Sequence, residues 1–122
     1  MNDQVIFTPF FLDKPFDDLD SLVEADWMVN RPELPGGEAQ ERMLAIYEPL
    51  AKAVETAVSE GKRPVSIAGD CCTAIGMLAG LQRGGLDPTL IWFDAPWGFQ
   101  HPGNHAQRFF GRHASGHDSR PR

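Results

Sequence analysis

Three groups of residues in this 122-residue chain are of types that do chemistry. Asp70 stands directly before the adjacent pair Cys71-Cys72. Asp94 closes the apolar run Leu90-Ile91-Trp92-Phe93. His101, His105, His113 and His117 stand together near the end of the sequence. Carboxylate and imidazole bind hard divalent ions, and thiolate prefers zinc or other softer metals. Each group also has a plainer reading, and for Asp94 it is a simple loop-turn residue. Asp70 is a good N-cap for a following helix. Adjacent cysteines make a strained disulfide and serve more often as small packing residues than as a redox pair, although a helix N-terminus lowers a thiol pKa. The histidine pairs have i, i+4 spacing that chelates metal on a helix. Pro102, Gly103 and Gly116 fall inside those pairs, so the helix is not expected and the segment reads as a solvated tail.

The elements that would position these groups follow from periodicity. Val5-Ile6-Phe7 predicts a first strand over 4–8, ended by Pro9. Phe16 to Val23 suits a short helix, and Trp27-Met28-Val29 a short extra strand. Arg31 to Gly37, with two prolines and two glycines, is a loop. Glu38 to Glu60 is the clearest helix, with Met43, Tyr47, Leu50, Val54 and Ala57 as one apolar stripe. Pro49 predicts a kink or break near Tyr47–Glu48, and Gly61 a C′ residue. Pro64 to Asp70 is a strand running into a turn. Cys72 to Arg83 is a helix with Ile75, Leu78, Ala79 and Gln82 on one face, while Gly76 and Gly80 allow close packing on a sheet. Leu90 to Ala95 reads as a last buried parallel strand. Alternating strands and helices give an α/β class with a parallel sheet covered on both faces.

Composition restricts the function. A net charge of −6 argues against nucleic acid or an anionic membrane as the main partner. No signal peptide or membrane-length apolar run is visible, so a cytoplasmic protein is expected. Residues 1–95 carry 7 Lys and Arg against 16 Asp and Glu, whereas residues 96–122 carry 4 Arg against Asp118 alone. The chemistry of the chain changes at one point.

Ile67-Ala68-Gly69-Asp70-Cys71-Cys72, a helix, and then Trp92-Phe93-Asp94-Ala95 resemble the arginase/agmatinase/formiminoglutamase (ureohydrolase) family. That family carries a G-G-D-H-S-like turn after one strand and D-A-H-x-D after the next. The resemblance implies the N-terminal portion of a three-layer α/β/α fold, about three strands with crossover helices, over residues 1–95. It also implies two manganese ions that share a hydroxide and aim it at a guanidino or formimino C–N bond of a small substrate. Carried over by position, Asp94 is a family metal ligand, and Cys71 replaces a ligand His. Pro96 and Gly98 replace a ligand His and a ligand Asp, and neither can ligate. No D-x-D follows Asp94. The expectation is a chain without catalysis, and the alternative is a small metal-free α/β binding or interaction module.

Residues 96–122 show neither strand nor helix period. One extra nucleotide after the Ala95 codon accounts for this. Reading each codon one base later permits His, Gly, Asp, Phe, Asn, Thr, Pro and Glu in place of Pro96 to Gly103. That restores D-A-H-G-D, and the tail is expected to be an out-of-frame translation of a truncated family member.

Overall fold

The computed structural model describes residues 2–94. The chain divides into two compact units, Met1–Thr89 and Leu90–Arg122. In the first unit, β1 (Asp3–Thr8) lies at the centre of a parallel sheet, between β4 (Met28–Val29) and β5 (Arg63–Ala68). The register pairs Ile6 with Met28 and Ser66, and Phe7 with Val29 and Ile67. Ile6, Phe7 and Thr8 are fully buried, as the middle strand of a sheet covered on both faces must be. The third member of this sheet is therefore the short Met28–Val29 strand that the sequence offered as an extra.

Between β1 and β4 the chain makes a small antiparallel hairpin, β2 (Phe10–Phe11) with β3 (Lys14–Pro15). Leu12 in its turn has φ 53°. Asp17–Leu22 follows as a 3-10 helix, where a short helix was expected.

The long helix α1 (Ala39–Ser59) carries the chain from β4 to β5. Its buried face is Ile46, Tyr47, Leu50, Ala51, Val54 and Ala57, the expected stripe with Ile46 and Ala51 added and with Met43 only partly buried. Leu50 and Val54 pack on Ile6, and Ile46 and Tyr47 on Phe10. The helix runs through Pro49 without the expected break. Pro49 is exposed, so its ring sits on the solvent side of the helix. One turn of this region also has outside support. The buried Asn30 side-chain amide donates to the Ile46 carbonyl at 3.0 Å and to Thr8 Oγ1 at 3.3 Å, and its backbone N–H donates to Phe7.

At the C-terminus of α1, Gly61 takes φ 70° and donates to Val58, while Lys62 donates to Ala57. This is the paired closure that a left-handed C′ residue allows.

The final helix, α2 (Ala74–Arg83), is shorter than expected because Cys71–Thr73 winds as a 3-10 turn before it. Its inward face also differs. The expected face carried Ile75, which is 56% exposed, whereas Gly76 and Gly80 are buried. They pack on α1 and not on the sheet. A Cβ on Gly80 would lie 2.5 Å from Val54 Cβ and 2.6 Å from the Ala51 carbonyl oxygen. A Cβ on Gly76 would lie 2.8 Å from Leu50 Cδ2, and one on Gly84 2.8 Å from Val58 Cγ1. Glycines at four-residue spacing thus form a notch into which α1 fits. The larger Met77 and Leu81 fill the margin of the Ile6–Leu50–Val54 cluster.

Leu90–Asp94, in the second unit, forms no regular element, which corrects the strand expected over Leu90 to Ala95. A strand is held by a ladder, and the ladders among the described residues are those of β1 to β5. Ala95 and the tail expected from residue 96 lie outside the described residues.

Candidate functional site

In an open α/β sheet the place to look for chemistry is beyond the carboxyl ends of the strands. At the end of β5 that place is the turn Gly69-Asp70-Cys71-Cys72-Thr73, which leads into α2. Gly69 is required there by close approach, since any Cβ would collide with the Phe10 carbonyl. Asp70 then caps the turn as expected, its Oδ1 accepting from the Cys72 N–H at 2.6 Å. Its second bond has no signal in the neighbouring residues. Asp70 Oδ2 accepts from the backbone N–H of Leu12, 58 residues earlier. One carboxylate therefore joins the β2–β3 hairpin to the start of α2.

The two cysteines have separate fates, and both are free thiols. Cys72 is half-buried and packs against Phe10, Ile46 and Tyr47, as a packing residue should. Burial, followed by the charge of Asp70, pushes its thiol up to about 11. At neutral pH it is a protonated thiol, poor both as nucleophile and as metal ligand. Cys71 is exposed, which corrects the packing role expected for it.

Behind the turn lies Tyr47, 8% exposed, with no hydrogen-bond partner for its hydroxyl. Burial first, and then Asp70, Cys72 and Cys71, raise its ionisation above the usual range. A buried phenol beside a carboxylate stays neutral.

Of the expected ligands, Cys71 belongs to the first unit and Asp94 to the second, and Asp94 is exposed. Pro96, Gly98 and all four histidines lie outside the described residues. Among the described residues no group of three or more His, Cys, Asp or Glu side chains could hold a metal ion. Two manganese ions need several carboxylates and imidazoles. The donors at the β5 turn do not fit that need. Both oxygens of Asp70 accept from backbone amides, Cys72 keeps its proton, and Cys71 is a soft ligand.

What this arrangement does is hold backbone. Charge-assisted bonds from two peptide N–H groups to one carboxylate fix a turn and a hairpin together. The same end of the sheet holds the Asn30 network. Its sequence signal was the position of Asn30, directly after the short strand Met28–Val29.

Comparison with known proteins adds one finding. The family model described as "Arginase family" matches residues 11–109, most of the chain. No curated protein and no solved structure matches.

Proposed function

The chain belongs to the arginase family, and on that premise we propose that it is a ureohydrolase relative that has lost the hydrolysis of a guanidino or formimino C–N bond. Its fold is the family's α/β type, with three parallel strands and connecting helices. One observation carries the proposal. Where the family pattern needs carboxylate and imidazole, this chain has Cys71, Pro96 and Gly98, and only Asp94 keeps its type. In an intact relative two manganese ions would supply a metal-bound nucleophile. In this chain Cys71 and Asp94 hold ligand positions, and among the described residues no group of three or more His, Cys, Asp or Glu side chains could hold a metal ion.

Titration of the full chain with manganese by calorimetry tests this directly, together with urea release from arginine or agmatine and formamide release from formiminoglutamate. No saturable manganese binding and no product are expected. A pair of tight manganese sites, or turnover of any of these substrates, overturns the proposal.

The second part of the proposal concerns the gene. An inserted base after the Ala95 codon accounts for the ligands lost at Pro96 and Gly98, though not for Cys71, and for the change in composition at residue 96. Resequencing decides it. If deleting one base there opens no long frame encoding a downstream D-x-D, the insertion is excluded.

The metal-free module reading is favoured by one feature, the buried core within Met1–Thr89. Cooperative unfolding of a monodisperse protein supports it, and aggregation through an unpaired sheet edge opposes it. Among the described residues no helix is long and apolar enough to cross a membrane. A cytoplasmic location, and independence from nucleic acid and membrane, remain part of the proposal.

A further inference from the structure

The parallel sheet ends on one side in β4, two residues long, and on the other in β5, six residues long. We propose that the outer edge of β5 takes an added strand, and that this strand is Leu90–Phe93 of a second copy of the chain, exchanged reciprocally in a two-fold dimer. The hydrolase reading and the metal ligands play no part in it.

The register of β5 on β1 fixes which peptide groups face outward. The Arg63 N–H donates to the Asn2 carbonyl at 2.9 Å, and Arg63 pairs with Asp3. In a strand the N–H and C=O of one residue point to the same side, and the next residue points to the other. Arg63, Val65 and Ile67 therefore spend their peptide groups on β1, and Pro64, Ser66 and Ala68 turn theirs away from it. The outer edge offers the carbonyls of all three and the N–H groups of Ser66 and Ala68, since proline has none. Among the described residues no hydrogen bond reaches these groups. Residues 64–68 are half-buried, whereas Ile6, Phe7 and Thr8 on β1 are fully buried. That contrast belongs to a strand with a neighbour on one side only, and such an edge is a template for another strand.

The chain itself carries a matching strand. Leu90, Ile91, Trp92 and Phe93 have the branched and aromatic composition that suits a ladder, yet they join none among the described residues. All four are exposed, Ile91 at 72% and Phe93 at 91%, and an unbroken apolar run of this kind marks an interaction segment. Edges that avoid pairing carry charged side chains, but neither 64–68 nor 90–93 contains Lys, Arg, Asp or Glu. Pairing within one chain would continue the strand order past β5, and that order ends at β5. Every copy thus has one open edge and one strand without a ladder. Two copies satisfy both at once, and the reciprocal exchange closes.

The test is sedimentation velocity of the full chain under reducing conditions over a wide concentration range, with hydrogen exchange read at single amides. A reversible shift from the chain mass of 13.5 kDa to twice that mass is expected. The Ser66 and Ala68 amides should exchange slowly in the dimer and quickly on dilution. Ile91→Lys with Phe93→Lys alters only exposed side chains and should weaken the dimer at least about tenfold. Ser66→Pro removes an outward N–H and leaves the bonds to β1, and should weaken it as well. Mixing the two variants leaves one intact edge facing one intact segment, so a heterodimer should form where neither variant pairs with itself. If Ser66→Pro does not fold, the lysine variant decides alone. The proposal is overturned by any of four outcomes. These are a monomer across the whole range, Ser66 and Ala68 amides that stay slow on dilution because the same chain covers them, a dimer that the lysine variant leaves unchanged, or open-ended aggregation in place of a discrete dimer.

Discussion

Replacing Gly80 with alanine separates two opposite forces. Alanine is the better helix former by about 1 kcal/mol, so propensity alone makes Gly80→Ala stabilising. Packing says otherwise. The new methyl would lie 2.5 Å from Val54 Cβ and 2.6 Å from the Ala51 carbonyl oxygen, and both belong to the rigid part of α1. No rotamer change removes either contact, so the helices must separate. Overpacking of a tight contact costs about 1–3 kcal/mol, and after the propensity gain a net loss of up to about 2 kcal/mol remains. For a unit of this size that lowers Tm by about 4–8 °C per kcal/mol. Urea denaturation at constant m-value measures the loss. Gly76→Ala is the internal comparison, since its nearest neighbour is the mobile end of Leu50 at 2.8 Å. It should cost less than Gly80→Ala. Val54→Ala added to Gly80→Ala should restore little, because the Cβ and the carbonyl remain. A stabilised Gly80→Ala, or a Gly76→Ala that is the worse of the two, refutes the notch between α1 and α2.

Three further outcomes follow from residues already described. Asp70→Ala removes an N-cap and a second backbone acceptor, and should cost about 2 kcal/mol by denaturation. Alkylation followed by mass spectrometry should label Cys71 readily in the folded protein and Cys72 only after unfolding or near pH 11. Because the Cys72 thiol is raised from 9.0 to about 11 in the folded chain, its contribution to stability is complete below pH 9 and is lost as pH rises toward 11. At the acid end, Arg63 holds the Asp3 carboxyl below its usual range and Arg83 does the same for Glu48, mainly through side-chain hydrogen bonds. Both depressed groups contribute above their unfolded pKa values, so stability should fall as pH drops below 4, and Asp3→Asn with Glu48→Gln should flatten that slope.

The sequence disclosed the parts whose signal is local. β1, the body of α1, the left-handed Gly61 and the capping oxygen of Asp70 each follow from neighbours a few residues away. What it hid depends on partners far along the chain. The inward face of α2 looked like Ile75 and Leu78 because apolar residues usually face inward. The true face is defined by absent side chains, Gly76 and Gly80, and is visible only once α1 is beside it. Leu90 to Phe93 has a strand's composition, but composition does not supply the neighbour that a strand needs. Of the candidate site, the family motif was legible and its positions could be assigned one by one. The second bond of Asp70 was not, because Leu12 is remote in sequence. Arg42 likewise looked like an ordinary exposed helix residue, since Asp13 and Pro35 come to it only through the fold.

The bond from the Leu12 amide to Asp70 closes a loop of 58 residues. Loop closure of that length is entropically costly, and neither the hairpin nor α2 can make the bond alone. The Leu12 amide should therefore be hydrogen-bonded only when β2, β5 and α2 are assembled together. In a hydrogen-exchange experiment it would not report the fraying of a surface turn, although it sits in one. It should exchange with the slow amides of β1, at the rate of the unit's global opening. A single peptide proton in a two-residue turn thus becomes a clock for the whole of Met1–Thr89.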